Sequence, residues 1–522
     1  MKGTMVVARA LGRTKWKTLL AWPAGLAILV LAVGRGVMEL YAQPAQRVQY
    51  EGTMGSSPAS WAFNGRAYDV DSLGGILAFE VGFMGQLLLP VFGVLLAVSL
   101  TRAQEDSGRL ELLTSGVLGH GAPFAAAALW VLGCVGAFAV VSWTGLSALG
   151  FPLWASGRYL ASLALFALVW AGIGLLTGQL AQSAQAAKAV GLCLALAGFC
   201  VRALVDGRGW DLEWLSPAGW MVAVRPWSGW QWSYALGLAG VAVATTAAGA
   251  AIAVRRDLYA GVLTPRPGPA RGSARLGTPA GAAWRLTRAS FVVWLVGGLA
   301  FGTAFGSMSQ EMGRLIEENP QLARALGTAE PELIMTALAM LIVALASACV
   351  GVSGFTRLSA EEESGRLSLL LSGTRTRRRV WCVWGAVVVA QTLGVLGAGS
   401  AGVGVAQWMD QGDTAALRSA VDAGAGYAVP VLVLTAVTVT LHALIRRLVR
   451  AAWGLVAWAA IVGTLADTLK LPGWARNLSP LELVGRLPLE STDTANATML
   501  AGAVLVLGSV ALAWFVRRDL AA

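Results

Sequence analysis

Residues 105–116 read EDSGRLELLTSG, and residues 362–373 read EESGRLSLLLSG. Nine of the twelve aligned positions are identical, at an offset of 257 residues. Each phrase is charged, and each follows a long apolar run. A solvated loop needs no fixed sequence, so two matching copies half a chain apart point to a unit written twice, with a matched task for each copy.

The repetition is wider than the phrase. VRRDL occupies residues 254–258 and 516–520, and LSP occupies 215–217 and 478–480. A basic-aromatic segment opens each half, RTKWKTLLAW at 13–22 and RLTRASFVVW at 285–294. The offsets of 272, 257, 263 and 262 in chain order drift as unequal loops would make them. The sequence therefore divides into a first unit over 1–258, a Pro-, Gly- and Arg-rich cytoplasmic linker over 259–284, and a second unit over 285–522.

Composition fixes the solvent of those units. Of 522 residues 56% are hydrophobic and 13% charged, with a mean hydropathy of +0.65. A soluble domain carries about 25% charged residues, so this chain needs lipid around it. A span needs about 20 apolar residues. Six such runs fall at 19–40, 74–100, 120–149, 157–181, 185–204 and 232–254, and six more at 289–309, 333–357, 379–408, 427–446, 450–470 and 495–516. The expected fold is an all-α polytopic membrane protein of twelve transmembrane helices. It is built as two tandem six-helix units with pseudo-twofold symmetry about the membrane normal.

Charge orients it. Basic residues gather at Lys2, Arg9, Arg13, Lys15 and Lys17, at Arg255, Arg256 and Arg266, at Arg375, Arg377, Arg378 and Arg379, at Arg446, Arg447 and Arg450, and at Arg517 and Arg518. With twelve spans these all fall on one side, and the opposite side carries Glu311, Glu317, Asp410 and Asp422. The positive-inside rule then makes that basic side, with both termini, cytoplasmic. The net charge of +11 is explained by this topology, with no nucleic-acid partner. No small-residue cleavage site follows the first run, so no cleaved signal peptide is expected.

Each acidic phrase lies on the cytoplasmic side after the second span of its unit. Its carboxylates precede Ser-Gly-Arg and a Leu-rich stretch suited to a short amphipathic helix, and acids at a helix start complement its dipole. Gly108 and Gly365 allow the backbone to bend beside them. The matched task that the repetition implies is docking to a symmetric soluble partner, one protomer beneath each unit.

A six-span unit with this phrase after its second span resembles the permeases of ABC type-2 exporters. The likeness is greatest to the actinobacterial polyketide-antibiotic or tetronasin-type multidrug exporter branch, in which two units are fused. The resemblance implies that each phrase is a coupling helix seated on a separately encoded ATPase. That assigns coupling roles to Glu105, Asp106, Gly108, Arg109, Glu361, Glu362, Glu363, Gly365 and Arg366. It implies ATP and Mg on two copies of a cytoplasmic partner, a hydrophobic small-molecule substrate, and residence among the lipids of a bacterial cytoplasmic membrane. The first copy departs from an all-Glu pattern at Gln104 and Asp106.

The chain has no G-x-x-x-x-G-K-[ST] stretch, and none of its five lysines directly follows a Gly. It is expected to bind no nucleotide and to be a transport subunit, not an enzyme. The alternative is a proton-coupled major-facilitator-type drug transporter, which shares the twelve spans and an acidic Gly-Arg phrase. Against it, TRAQ and RLSA precede the acids, and Leu-rich sequence follows where basic residues belong. An enzyme finds little support: His120 and His442 have no acid or Cys at metal spacing and read as satisfied interfacial residues. The five cysteines read as small packing residues.

Charges inside spans need a reason. Glu80, in the second span, reads either as a member of a substrate pathway or as the partner of a neighbouring basic or backbone group. Asp467 reads as paired with Lys470 at helical spacing. The segment before span six holds Trp210, Trp214, Trp220, Trp227, Trp230 and Trp232. It reads as an interfacial belt or, by the resemblance, as a helical hairpin forming an outer lid, which places Trp214 and Trp220 beside the substrate pathway.

Overall fold

A backbone in lipid satisfies its own N–H and C=O groups, and a helix does so within one segment. The computed structural model describes residues 3–108, 119–256, 261, 273, 277–317, 331–371, 376–412, 414–465 and 471–518. These contain helices and no strand. The first unit, Met1–Pro267, holds α1 (Thr4–Leu40), α2 (Leu73–Leu100), α3 (Ala122–Leu149), α4 (Leu153–Leu180), α5 (Ala184–Gly207) and α6 (Trp232–Arg255). The second, Gly268–Ala522, holds α7 (Pro279–Glu317), α8 (Pro331–Glu363), α9 (Arg377–Gln411), α10 (Thr414–Leu444), α11 (Ala452–Leu465) and α12 (Thr494–Arg517).

Among the described residues, eleven helices are long and apolar enough to cross a membrane. The span expected over 450–470 corresponds to α11, of 14 residues; residues 466–470, with Asp467 and Lys470, lie outside the described part. The basic-aromatic openings are not separate segments: α1 and α7 run through them without interruption. Helix α10 starts at Thr414, well before the expected 427, so Asp422 lies within a helix and not in a loop.

In the first unit the most buried helices are α2 and α4, which pack on each other. Phe92, Val94 and Leu96 meet Phe166, Val169 and Trp170 in one core, while α1 packs on α3 and α6 on α4. In the second unit α8 packs on α10, α7 on α9 and α12 on α10, with Met340, Val343, Val431 and Leu434 at the centre. Corresponding helices are thus paired alike in each unit. A smaller apolar cluster of Phe355, Leu358, Leu367, Trp381, Trp384 and Phe515 lies beside the second acidic phrase.

The LSP triplets have a local cause. Ser216 is the N-cap of the short helix Pro217–Ala223; its hydroxyl accepts the Ala218 N–H (3.2 Å) and donates to the Gly198 carbonyl (2.7 Å). Ser479 occupies the N-cap position of Pro480–Leu483, and both helices carry Pro at the first turn, where its missing N–H costs nothing. In the first unit the single 3₁₀ turn Glu213–Leu215 and the helix Pro217–Ala223 make a short turn–helix hairpin ahead of α6, not a hairpin of two helices. The five cysteines are all free; Cys134 and Cys349 are buried, whereas Cys193, Cys200 and Cys382 are exposed.

Candidate functional site

The two acidic phrases begin differently and turn alike. In the first unit α2 breaks at Thr101 (φ −114°, ψ −95°), and a short helix, Arg102–Asp106, follows. In the second unit α8 runs unbroken to Glu363. Both phrases then reach a glycine with the same left-handed φ, Gly108 (71°) and Gly365 (71°). The Gly108 N–H bonds the Glu105 carbonyl at 2.8 Å, and the Gly365 N–H bonds the Glu362 carbonyl at 3.0 Å. Among the described residues nothing lies within 4 Å of a Cβ built on either glycine, so backbone conformation and not space requires Gly here. Arg109 lies outside the described residues.

The first acid of each repeat is buried and clasped by the arginine that follows the last long helix of its own unit. Glu105 is 4% exposed and Glu362 is 3% exposed. Arg256, one residue past α6, donates through Nη2 to Glu105 Oε1. Arg518, one residue past α12, donates through Nη2 to both Glu362 oxygens, at 2.8 and 2.6 Å. Both arginines have extended backbones, with ψ of 150° and 151°. The repeated acidic phrase and the repeated VRRDL therefore meet, by the same residue pair, in each unit.

The surroundings of the clasp differ. In the first unit Arg102, 1% exposed, pairs with Glu105 at 2.9 Å, reaches Asp106 at 3.4 Å and donates to the Gln182 carbonyl at 2.6 Å. Gln179 Oε1 accepts Arg256 Nε–H at 2.8 Å. In the second unit His442 stands at the 263-residue offset from Gln179, fully buried, with Nε2 3.6 Å from Glu362. Its ring lies near Phe355 and Phe515, and among the described residues neither ring nitrogen has a hydrogen-bond partner. The expectation of a satisfied interfacial histidine thus fails, because Phe515 of α12 and the turn Arg446–Ala451 cover the end of α10. Burial pushes the Arg518 guanidinium below its ordinary value, and Glu362 opposes that shift.

Glu361 is also buried, held by Arg357 (2.9 Å) and by two bonds from Arg366 (2.6 and 3.1 Å), whose guanidinium the Glu361 carboxylate raises above its ordinary value. What reaches the surface is a subset of the predicted residues. Asp106 has 35% of its side chain exposed, Glu363 40% and Arg366 56%. Asp106 also accepts the Ala184 N–H (2.6 Å) at the start of α5, where a carboxylate complements the helix dipole. Glu363 faces Arg450 at 3.6 Å.

The predicted pathway residues lie at the other end of the first unit. Glu80 Oε1 accepts a 2.5 Å bond from the Tyr50 hydroxyl. Burial, then Glu80, raise the Tyr50 phenol above its ordinary value, so it remains a donor. The partner that the geometry gives Glu80 is thus a Tyr hydroxyl, not the basic or backbone group expected. Trp220 Nε1 donates to the Trp214 carbonyl at 2.9 Å inside the hairpin, and Trp214 is 60% exposed. Arg202 of α5 is buried and donates to three successive carbonyls, Trp61 (2.8 Å), Ala62 (2.9 Å) and Phe63 (2.8 Å), near the end of the short helix Pro58–Asn64. Sequence reading missed Arg102, Arg202 and the pairing role of Arg256 and Arg518; for the last two, VRRDL was itself the signal.

Residues 276–516 match the family model described as multidrug efflux system permease Rv1217c, C-terminal domain. The chain is 31% identical over 520 residues to the multidrug efflux system permease protein Rv1217c of Mycobacterium tuberculosis (strain ATCC 25618 / H37Rv). That match covers 97% of this chain and 92% of the relative.

Proposed function

The chain belongs to the multidrug efflux system permease family, and from that premise we propose that it is the membrane subunit of an ATP-driven ABC type-2 exporter. It would move hydrophobic or amphipathic compounds, antibiotics among them, out of a bacterium across the cytoplasmic membrane. Two copies of a separate cytoplasmic ABC ATPase hydrolyse ATP with Mg; this chain binds neither. Both termini are cytoplasmic, and the sequence is a duplicated six-span unit, 1–258 and 285–522, joined by a linker over 259–284.

The observation that carries this reading is the paired clasp, Glu105 with Arg256 and Glu362 with Arg518. A partner pressing on the exposed Asp106 and Gly108, or on Glu363 and Gly365, presses on a segment tied by a buried ion pair to the end of α6 or α12. The load passes to the spans and is not lost in a loop. The exposed residues form the docking face, and the buried acids transmit.

Co-expression of the chain with an ABC ATPase subunit from the same organism tests this. Asp106→Asn with Glu363→Lys is expected to abolish co-purification of the ATPase while the melting temperature of the permease stays within about 2 °C, since Asn keeps an acceptor for the Ala184 N–H and the half-exposed Glu363–Arg450 pair contributes little stability. Undiminished co-purification, with ATP-driven efflux intact, would sink the proposal.

A further inference from the structure

At the end of the first unit away from the acidic phrase, a cavity of about 40 Å³ lies between α2, α4, the loop before α2 and the segment following the turn–helix hairpin. Its wall includes Tyr159, Trp227, Arg225, Asp69, Phe79 and Tyr68; Trp214 and Trp220 are not part of it. Three polar atoms of that wall, Tyr159 Oη, Trp227 Nε1 and Arg225 Nε, are buried without a hydrogen-bond partner. Tyr159 is 3% exposed. A buried donor left unmade is costly, and three in one wall call for an acceptor that the described residues do not provide.

The nearby carboxylates have partners other than these three donors. Asp69 Oδ2 takes the Ser228 hydroxyl at 2.6 Å, and Asp211 and Glu213 take Arg66 at 2.8 and 2.9 Å. The backbone is also held out of its easy regions at this wall. Among the described residues, the two non-glycine positions with positive φ are Asp69 (59°) and Arg225 (49°), and both line the cavity. Such conformations persist where the surroundings over-determine them, and they cluster at ligand sites.

Charge and shape narrow the ligand. Arg225 lies 4.0 Å over the Tyr68 ring, and Arg66 is neutralised by two carboxylates, so the wall offers donors without excess positive charge. That favours a neutral acceptor over an anion. The Tyr159 and Trp227 rings, 5.5 Å apart, present flat apolar surface beside the donors. The volume admits roughly three water-sized groups, which suits one carbonyl and its immediate substituent, with the body lying toward the mouth.

We propose that this cavity binds a neutral hydrogen-bond acceptor, a ketone, ester or amide oxygen, carried on an aromatic body, with Tyr159, Trp227 and Arg225 as its donors. The inference needs only the first unit and makes no use of ATP coupling, so its failure leaves the permease reading intact.

The test uses the full chain in lipid nanodiscs and a photoreactive probe, a trifluoromethyl-diazirine of acetophenone, with labelled peptides mapped by mass spectrometry. Label is expected on Phe79 and Met221 of the cavity wall. Acetophenone should displace it at about fivefold lower concentration than ethylbenzene, which has the same shape without the oxygen. In Tyr159→Phe that preference should fall to about twofold, while ethylbenzene still competes as in the unaltered chain and so reports an intact cavity. Label absent from the cavity, equal displacement by the two competitors, or an unchanged preference in Tyr159→Phe would each overturn the proposal and leave a cavity that holds water only.

Discussion

Arg518 and Glu362, 156 residues apart, share two hydrogen bonds at 2.6 and 2.8 Å in a buried setting at the end of α12. The pair ties together two sequences that looked like independent repeats. A duplication preserves a residue readily when its partner lies in the other preserved phrase, because neither can change alone without stranding a buried charge.

Arg518→Met is therefore expected to destabilise the second unit by about 3 kcal/mol, since Arg446 (3.7 Å) and His442 (3.6 Å) are too far from Glu362 to replace the lost bonds. Adding Glu362→Gln should recover more than half of that loss. Arg256→Met should cost less, roughly 1–2 kcal/mol, because Arg102 still holds Glu105 at 2.9 Å. Thermal unfolding in one detergent compares these variants with the unaltered chain; equal melting temperatures for Arg518→Met and the double variant would remove the ion pair as the cause.

At Gly108 and Gly365 the space that a Cβ would occupy is open, which separates strain from collision. Ala at either site should cost about 1–2 kcal/mol, and Asn less, because Asn enters the left-handed region more readily. The same melting experiment decides it. If Asn and Ala prove equally costly, the left-handed turn is not what these positions require.

Much of this was legible in the sequence because it rests on patterns that survive without a structure. Apolar length gave the helices, and the phrases EDSGR and EESGR marked where each second long helix ends. What the sequence could not separate was docking from clasping. Glu105, Glu361 and Glu362 carry the same carboxylate as Asp106 and Glu363, yet the first three are buried and the last two are partly exposed. Glu105 and Glu362 meet Arg256 and Arg518, which arrive from the end of another helix, whereas Glu361 is held by the local Arg357 and Arg366, and VRRDL read alone looks like a topology signal. Likewise nothing local to Arg202 announces its carbonyl partners, which lie about 140 residues earlier in the chain.

Arg202 offers a direct check on that long-range arrangement. Its planar guanidinium reaches three carbonyls with two nitrogens, a geometry a Lys ammonium does not match. Arg202→Lys is expected to resemble Arg202→Met, with amide exchange across Pro58–Asn64 accelerated more than about tenfold in each. Exchange mass spectrometry resolves that segment; protection retained by Lys alone would show that charge, not geometry, anchors it.

Efflux and stability measured together separate the two readings of Glu80. If its task is to accept the Tyr50 hydroxyl, Glu80→Gln keeps an acceptor in place and should leave efflux of a fluorescent hydrophobic dye from cells unchanged. Tyr50→Phe should cost about 1 kcal/mol, because a part-buried carboxylate oxygen then loses its donor, and Glu80→Leu with Tyr50→Phe should cost less than Tyr50→Phe alone. A proton-carrying Glu80 behaves in the opposite way: Gln cannot release a proton at physiological pH, so efflux would stop while the melting temperature held. Dye efflux and thermal unfolding on the same set of variants distinguish the two, and loss of efflux in a fully folded Glu80→Gln protein would return Glu80 to the transport pathway.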